Sequence, residues 1–298
     1  MQSKLKFPQV DHPDATGELK AIYDDIQATL RAPWVAFACR VLATFPAFLP
    51  LAWREARGHF TCRHAERAAD AIRSRAVLPG DAPPDPRPKL EGLGWDRGKV
   101  GELLHTIDAY NYGNPKYLLL ITAWAEAIQG RHPPGKALAA EQMEPIPYGL
   151  PPGVRPLYLV DPDQADARVG ALFERIKAMH FHHGPSSDYR TLAQWPDYLE
   201  IALDDAIAPV VRTVEYDLRA RELIIMARDW VRSLPGPAGI DRFALAAKCA
   251  AHEIAGLTGL LFMYQRFIAD ITIDIIRLKQ AFDGASAAAA SPFPPAAA

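Results

Sequence analysis

The segment HHGPSSDYR, residues 182–190, brings two histidines, a Gly-Pro break, two serines and one carboxylate together just ahead of an amphipathic run. Its aspartate, Asp188, has two readings. At a helix entrance it is a cap or first-turn residue, favoured by the helix dipole; facing a cleft it is a general base for a water molecule. A second stretch, NYGNPKYLLL (111–120), sets Asn114 directly before Pro115, so that a helix can begin at Pro115 with Asn114 as its cap. In a cleft the same amide would hydrogen-bond a held water. A third stretch, APWVAFACR (32–40), spaces Trp34 and Phe37 three apart, as a core pair or as the apolar wall of a pocket.

His180, His182 and His183 invite a metal reading, but ligands on one helical face stand three or four apart, and no acid or thiol nearby completes a familiar set. No metal site is expected, and a metal-dependent hydrolase built on these histidines would be betrayed by chelator sensitivity. Ser186 and Ser187 beside His182 and His183 make a poor nucleophile and base, because Pro185 intervenes. Nucleophile-elbow, phosphate-loop, dinucleotide and CxxC signatures do not occur in the chain, and no cofactor is expected.

Helical spacing of apolar residues dominates the elements that must carry these groups. It marks residues ~17–30, ~40–57, ~62–77, ~98–111, ~116–129, ~166–180, ~188–203, ~216–233, ~241–252 and ~254–281. Alternating strand patterns are almost absent, so the expected fold is all-α. The long Pro- and Gly-punctuated stretch 132–163 reads as a linker between a first unit, 1–131, and a second, 164–283. The terminal 284–298, GASAAAASPFPPAAA, is low in complexity and reads as a disordered tail.

The halves align without gaps at an offset of 150: VLATFPAFLPLAWREA (41–56) on TLAQWPDYLEIALDDA (191–206), and IYDDI (22–26) on LFERI (172–176). Beyond the first third of each half the match loosens. Two related helical units packed as a pseudo-dimer within one chain is the economical architecture, with a ligand cleft between them. The same offset tests Asp188: Ala38 stands opposite it, Phe37 opposite Ser187 and Trp34 opposite Gly184. The fold manages without an acid in the first copy, which weakens a purely architectural role.

At 298 residues and 49% hydrophobic content the chain can fill substantial cores. A net charge of −2, from 33 basic and 35 acidic residues with no basic block, argues against nucleic acid as a partner. Cys39, Cys62 and Cys249 fit reduced thiols, and the apolar stretches fall short of the ~20 residues that span a bilayer, so a cytoplasmic protein without a membrane partner is expected. On residues alone, a catalytic Asp/Asn/aromatic cleft and a non-catalytic helical module binding an apolar ligand or partner both remain open.

LRAPWVAFACRVLATFP, NYGNPKYLLLITA, HHGPSSDYRTLAQWP and IAGLTGLLFMYQRFIADITI together resemble the group I 2-haloacid dehalogenases, which act on both enantiomers. The resemblance runs from about residue 7 to SPFP near the end. It implies two related all-helical units with the active site between them, usually a homodimer, and hydrolysis of short 2-haloalkanoic acids to 2-hydroxy acids without a cofactor. By it Asp188 activates water, Asn114 holds that water, and Trp34, Phe37, Tyr117, Ser187, Tyr264 and Ile268 wall the pocket. Backbone N–H groups of the Ser186–Tyr189 segment and Arg40 are candidates for the substrate carboxylate. Some members carry a threonine four residues before the glutamate that falls on Glu66; this chain has Cys62 there, and Glu66 is read first as structural.

Overall fold

The computed structural model describes residues 7–131, 138–234, 240 and 242–295. In the first half the apolar spacing resolves into α1 (Gly17–Leu30), α2 (Phe37–Leu42), α3 (Phe48–Ala56), α4 (Arg63–Arg75), α5 (Arg87–Gly92) and α6 (Arg97–Ile128). The short α7 (Ala140–Met143) precedes α8 (Ala167–His180), α9 (Ser187–Leu192), α10 (Pro196–Ala202), α11 (Val214–Ser233), α12 (Arg242–Ala246) and α13 (Ala251–Ala289). Among the described residues the one β-type pairing is an isolated bridge between Cys62 and Pro145.

Proline divides two runs that helical spacing alone joins. The stretches ~40–57 and ~188–203 each break, into α2 and α3 and into α9 and α10, around Pro46 and Pro196. A proline has no N–H to continue the ladder and pushes the residue before it out of the helical region. Trp195, at φ −124° and ψ 73°, is in that state, and Pro196 then opens α10.

The offset of 150 persists in the backbone. Helices α1 and α8 span 17–30 and 167–180, and α2 and α9 span 37–42 and 187–192. The first pair ends in the same left-handed conformation, at Arg31 (φ 59°) and Phe181 (φ 56°). Val10 N donates to Arg40 O and Val160 N to Arg190 O, both at 3.1 Å. Residue 160 thus already occupies the place of residue 10, ahead of the boundary expected at 164. The connector before it lies along the first half, with Ile146 N on Thr61 O (3.0 Å) and Gly149 N on Ala28 O (2.9 Å). Its residues 132–137 lie outside the described residues.

Helices α6 and α13 make the most extensive helix contact and form the centre, with α4 and α11 against them. Two expectations fail there. The runs ~98–111 and ~116–129 are one helix, which passes through Pro115 without a break. Pro115 cannot donate to the Asn111 carbonyl four residues back, and the buried Arg73 of α4 takes over: its Nε donates to Asn111 O (3.1 Å) and its Nη2 to Tyr112 O (3.3 Å). Asn114 is therefore mid-helix and not a cap. The tail is also not disordered over the described part: α13 resets at Gly284 (φ 81°) and continues to Ala289. Alanine has the highest helix propensity, and its small side chains let this segment approach α6 closely. Asn111 Nδ2 donates to Ala288 O (3.0 Å), and the Phe293 ring meets Tyr112 edge-on at 5.5 Å.

Candidate active site

The break between α8 and α9 sets Ser186 as the cap of α9, its hydroxyl accepting from Tyr189 N (3.4 Å). Asp188, two residues further, is released from capping. Its carboxylate turns toward α6, where Asn114 Nδ2 donates to Oδ1 at 2.6 Å. Because α6 belongs to the first half and α9 to the second, the pair bridges the two. Tyr110 reinforces the contact one helical turn before Asn114, with its hydroxyl 3.0 Å from Ser187 O and 2.7 Å from Thr191 Oγ1.

Asp188 is 2% exposed. Burial pushes its carboxyl up to about 7, because an ion in a dry site loses its hydration; the Asn114 hydrogen bond, its own backbone N–H and Ser186 pull the other way, while the negative Asp274 adds to the rise. A carboxyl group poised there can take a proton from water near neutral pH.

A cavity of about 20 Å³ opens on the pair, lined by Trp34, Ala36, Phe37, Ala38, Asn114, Tyr117, Ser187, Asp188, Phe267, Ile268 and Ile271. One water needs roughly 10–15 Å³ by the same measure, so the cavity fits one water beside a carboxylate, an amide and an apolar wall. Trp34 is locked by its neighbours: its carbonyl accepts from Tyr117 Oη (2.5 Å), and its ring lies 4.4 Å from that of Tyr110. Gly113 makes the approach of that indole possible, since a Cβ there would sit 2.2 Å from Trp34 Cη2. The Ser187 hydroxyl is buried and has no protein partner.

Of the residues expected at the site, Asp188, Asn114, Trp34, Phe37, Tyr117, Ser187 and Ile268 converge on this cavity. Tyr264 does not line it. It stands one ring behind, its ring 5.9 Å from Phe37 in edge contact. Ala36, Ala38, Phe267 and Ile271 are lining residues that the sequence reading missed. The signal for the last two was helical register, because 264, 267, 268 and 271 share one face of α13. Arg40 is not in the cavity either: buried, it donates from Nη1 to Val35 O (2.6 Å) and pairs through Nε with Asp11 (3.0 Å). No lining residue is cationic.

Glu66 belongs to a buried structural network. Its Oε1 accepts from Lys116 Nζ (2.5 Å) and Tyr112 Oη (3.0 Å), which ties α4 to the face of α6 that turns away from the cavity. Cys62 is the residue that precedes α4, so position 62 offers no hydroxyl. The histidines divide: His180 pairs with Asp274 (3.1 Å), His182 with Asp270 (3.2 Å), and His183 stacks on Phe37 with ring centroids 5.1 Å apart. Among the described residues, His180, His182 and Asp270 are the group that comes nearest a metal site, with ligand atoms within 4.8 Å of one another. Asp270 is already engaged by Arg266 Nε at 2.7 Å.

The fold and the site define a class of helical proteins that can activate one water molecule against a small electrophile held on an apolar wall. No protein-family model matches the chain. A configuration-inverting 2-haloacid dehalogenase of Alcaligenes xylosoxydans xylosoxydans is 49% identical over 99% of this chain and 100% of its own length. Another of that description, from Pseudomonas sp. (strain 113), is 49% identical over 96% of this chain and 94% of its own. A solved D-2-haloacid dehalogenase in complex with L-LA superposes with a TM-score of 0.85 at 26% identity, covering 93% of this chain and 96% of that one. The chain belongs to the configuration-inverting family of 2-haloacid dehalogenases.

Proposed function

We propose that this protein hydrolyses short 2-haloalkanoic acids of either configuration to 2-hydroxy acids, by direct attack of a water molecule that Asp188 deprotonates. The observation that carries the reading is the Asn114–Asp188 bond, 2.6 Å long, at the wall of a cavity the size of one water. Water is a poor nucleophile, so the carboxylate takes its proton as the new C–O bond forms at C2. The Asn114 amide, already on Asp188, fixes the oxygen's direction of approach. The C–halogen bond breaks with its electron pair on the departing halide, which leaves along the apolar wall of Trp34, Phe37 and Ile268, where aromatic edges suit a polarizable anion.

The substrate carboxylate meets no cation in the cavity, and the unpartnered Ser187 hydroxyl is its donor. Its negative charge raises the proton affinity of Asp188 further. Attack from one side inverts C2, and both enantiomers are accepted when hydrogen and alkyl group exchange places on the opposite wall. A haloacid needs more room than one water, so a wall must move. Phe37 is the candidate: half-buried, it lines both this cavity and an open groove of about 500 Å³ next to it.

The reading extends to a chain built from an internal repeat and working as a cytoplasmic homodimer. The matched backbone at an offset of 150 supports the repeat; among the described residues no helix is long and apolar enough to cross a membrane, which is compatible with the location, and light scattering on the purified protein tests the dimer. Single-turnover hydrolysis of 2-chloropropionate in heavy-oxygen water tests the chemistry. Solvent oxygen in the first-turnover lactate is expected; protein oxygen there would make Asp188 a nucleophile and end the water mechanism.

A further inference from the structure

Outside the cavity lining, three elements close on a second carboxylate, whose charge is felt at Asp188. Asp274 of α13 has a side chain 1% exposed. Its Oδ2 accepts from Tyr189 Oη of α9 (2.7 Å) and lies 3.1 Å from His180 Nε2 of α8. Its Oδ1 lies 2.9 Å from Tyr216 Oη of α11, a hydroxyl also 2.9 Å from Asp270 O. Tyr189 is the residue after Asp188, so α9 is held from both sides: through Asp188 and Ser187 to α6, and through Tyr189 to α13.

We infer that Asp274 is a positioning residue for the dehalogenation: it fixes α9 so that Asp188 stays on Asn114, and it keeps a negative charge near the base. The clamp is strong because every partner is buried and the acceptor is charged, the circumstance in which hydrogen bonds contribute most. The charge acts through a dry interior, where Coulomb interactions persist over more than one residue diameter. It opposes ionisation of Asp188, in the same direction as burial.

The titratable groups around this pair are few. Tyr110 of α6 and Tyr189 of α9 face Asp188, and both phenols are held far above their ordinary range by burial, so they do not titrate with it. His180, Tyr189, Tyr216, Asp270 and Arg277 surround Asp274, with His182 and Arg266 beyond them on Asp270. His180 is the only member of this group whose ordinary titration range lies near neutrality and that touches Asp274 directly. Burial depresses its proton affinity, but the field and hydrogen bond of Asp274 outweigh this and raise it. A protonated His180 offsets Asp274 and a neutral one does not.

The inference rests on Asp188 as the base, and two variants test it with opposite signs. In Asp274→Asn the acid limb of kcat/KM against pH should move to lower pH by about one unit or less, and in His180→Gln to higher pH by a similar amount. Tyr189→Phe keeps the charge but unties α9; it should lower kcat while leaving the limb in place. Unmoved limbs in both folded variants, with kcat merely reduced, overturn the inference. If Asp274→Asn does not fold, His180→Gln decides alone. The infrared carboxyl band of Asp188, located by difference against Asp188→Asn, is titrated in the same proteins. A band that shifts as expected, while Asp188→Asn retains full turnover, removes only the assignment of the base; a band that does not shift removes the role of Asp274.

Discussion

Asp188 carries the largest single consequence. Loss of a positioned general base costs about 10²–10⁴ in rate, so Asp188→Asn should lower kcat by that factor with the fold intact by circular dichroism; unchanged turnover would return the residue to architecture. The same substitution has a stability signature. Unfolded, an aspartate gives up its proton near ~3.9, whereas in the native protein burial keeps the Asp188 proton up to about 7. Between those values the native state binds more protons, so stability falls as pH rises through the window, and the whole cost of the buried ion is present above it. Asp188→Asn, which does not titrate, should therefore gain on the wild type between about pH 4 and about pH 8, read as urea midpoints at both ends. The role of this residue was half legible in the chain. Its type and setting suggested a cap or a base, and Ala38 at the equivalent position weighed against the cap; what the chain did not reveal was that Ser186 fills the cap and frees the carboxylate. Nor could it reveal Asp274, whose partners come from residues 180, 189 and 216 and meet only in three dimensions.

Helix α6 shows how local rules yield to tertiary partners. A proline after asparagine favours a helix start, and that reading is sound for an isolated segment; here the freed carbonyls are taken by Arg73, so the helix runs on and Asn114 reaches the cleft from mid-helix. Arg73→Met should cost about 1–3 kcal/mol for each carbonyl left buried without a partner. Adding Pro115→Ala restores an N–H for Asn111 O. A double-mutant cycle in urea should consequently show a favourable coupling, and strict additivity would mean that Arg73 acts elsewhere. Gly113→Ala on the same helix sets two rules against each other. Helix propensity alone would gain up to about 1 kcal/mol, but the added Cβ would meet the Trp34 indole at 2.2 Å. Displacing a packed indole costs about 1–3 kcal/mol, so the substitution should destabilise and, by moving Trp34 off the cavity wall, lower kcat/KM. A folded variant with wild-type stability and activity would show that Trp34 has room to give.

At the scale of the molecule, the correspondence at an offset of 150 was readable because the first third of each half keeps its helix lengths, the left-handed end of its first helix and the Val10 and Val160 backbone bonds, and these depend on short-range sequence. The later helices were harder to match, since α6 and α13 are shaped by each other more than by their own local sequence pattern. Their contact is the largest between helices, and α6 comes from one half while α13 comes from the other. The central core is therefore shared, and neither half can bury its own apolar face alone. It follows that the two halves should unfold in one cooperative transition despite their matched backbone, with coincident fluorescence and circular dichroism curves. A stricter consequence concerns a chain cut in the exposed connector at Gly153 (φ 83°), which leaves the Ile146 and Gly149 contacts on the first fragment and the Val160 contact on the second. Each fragment alone should be molten or aggregated, because the inner faces of α6 or α13 would lie open to water. Mixed, they should assemble one to one and regain halide release from 2-chloropropionate, since Asn114 and Asp188 then meet across the restored interface. A fragment that folds on its own with a sharp thermal transition would mean that the halves are independent domains, and that the site is a contact between two finished units instead of a product of their common core.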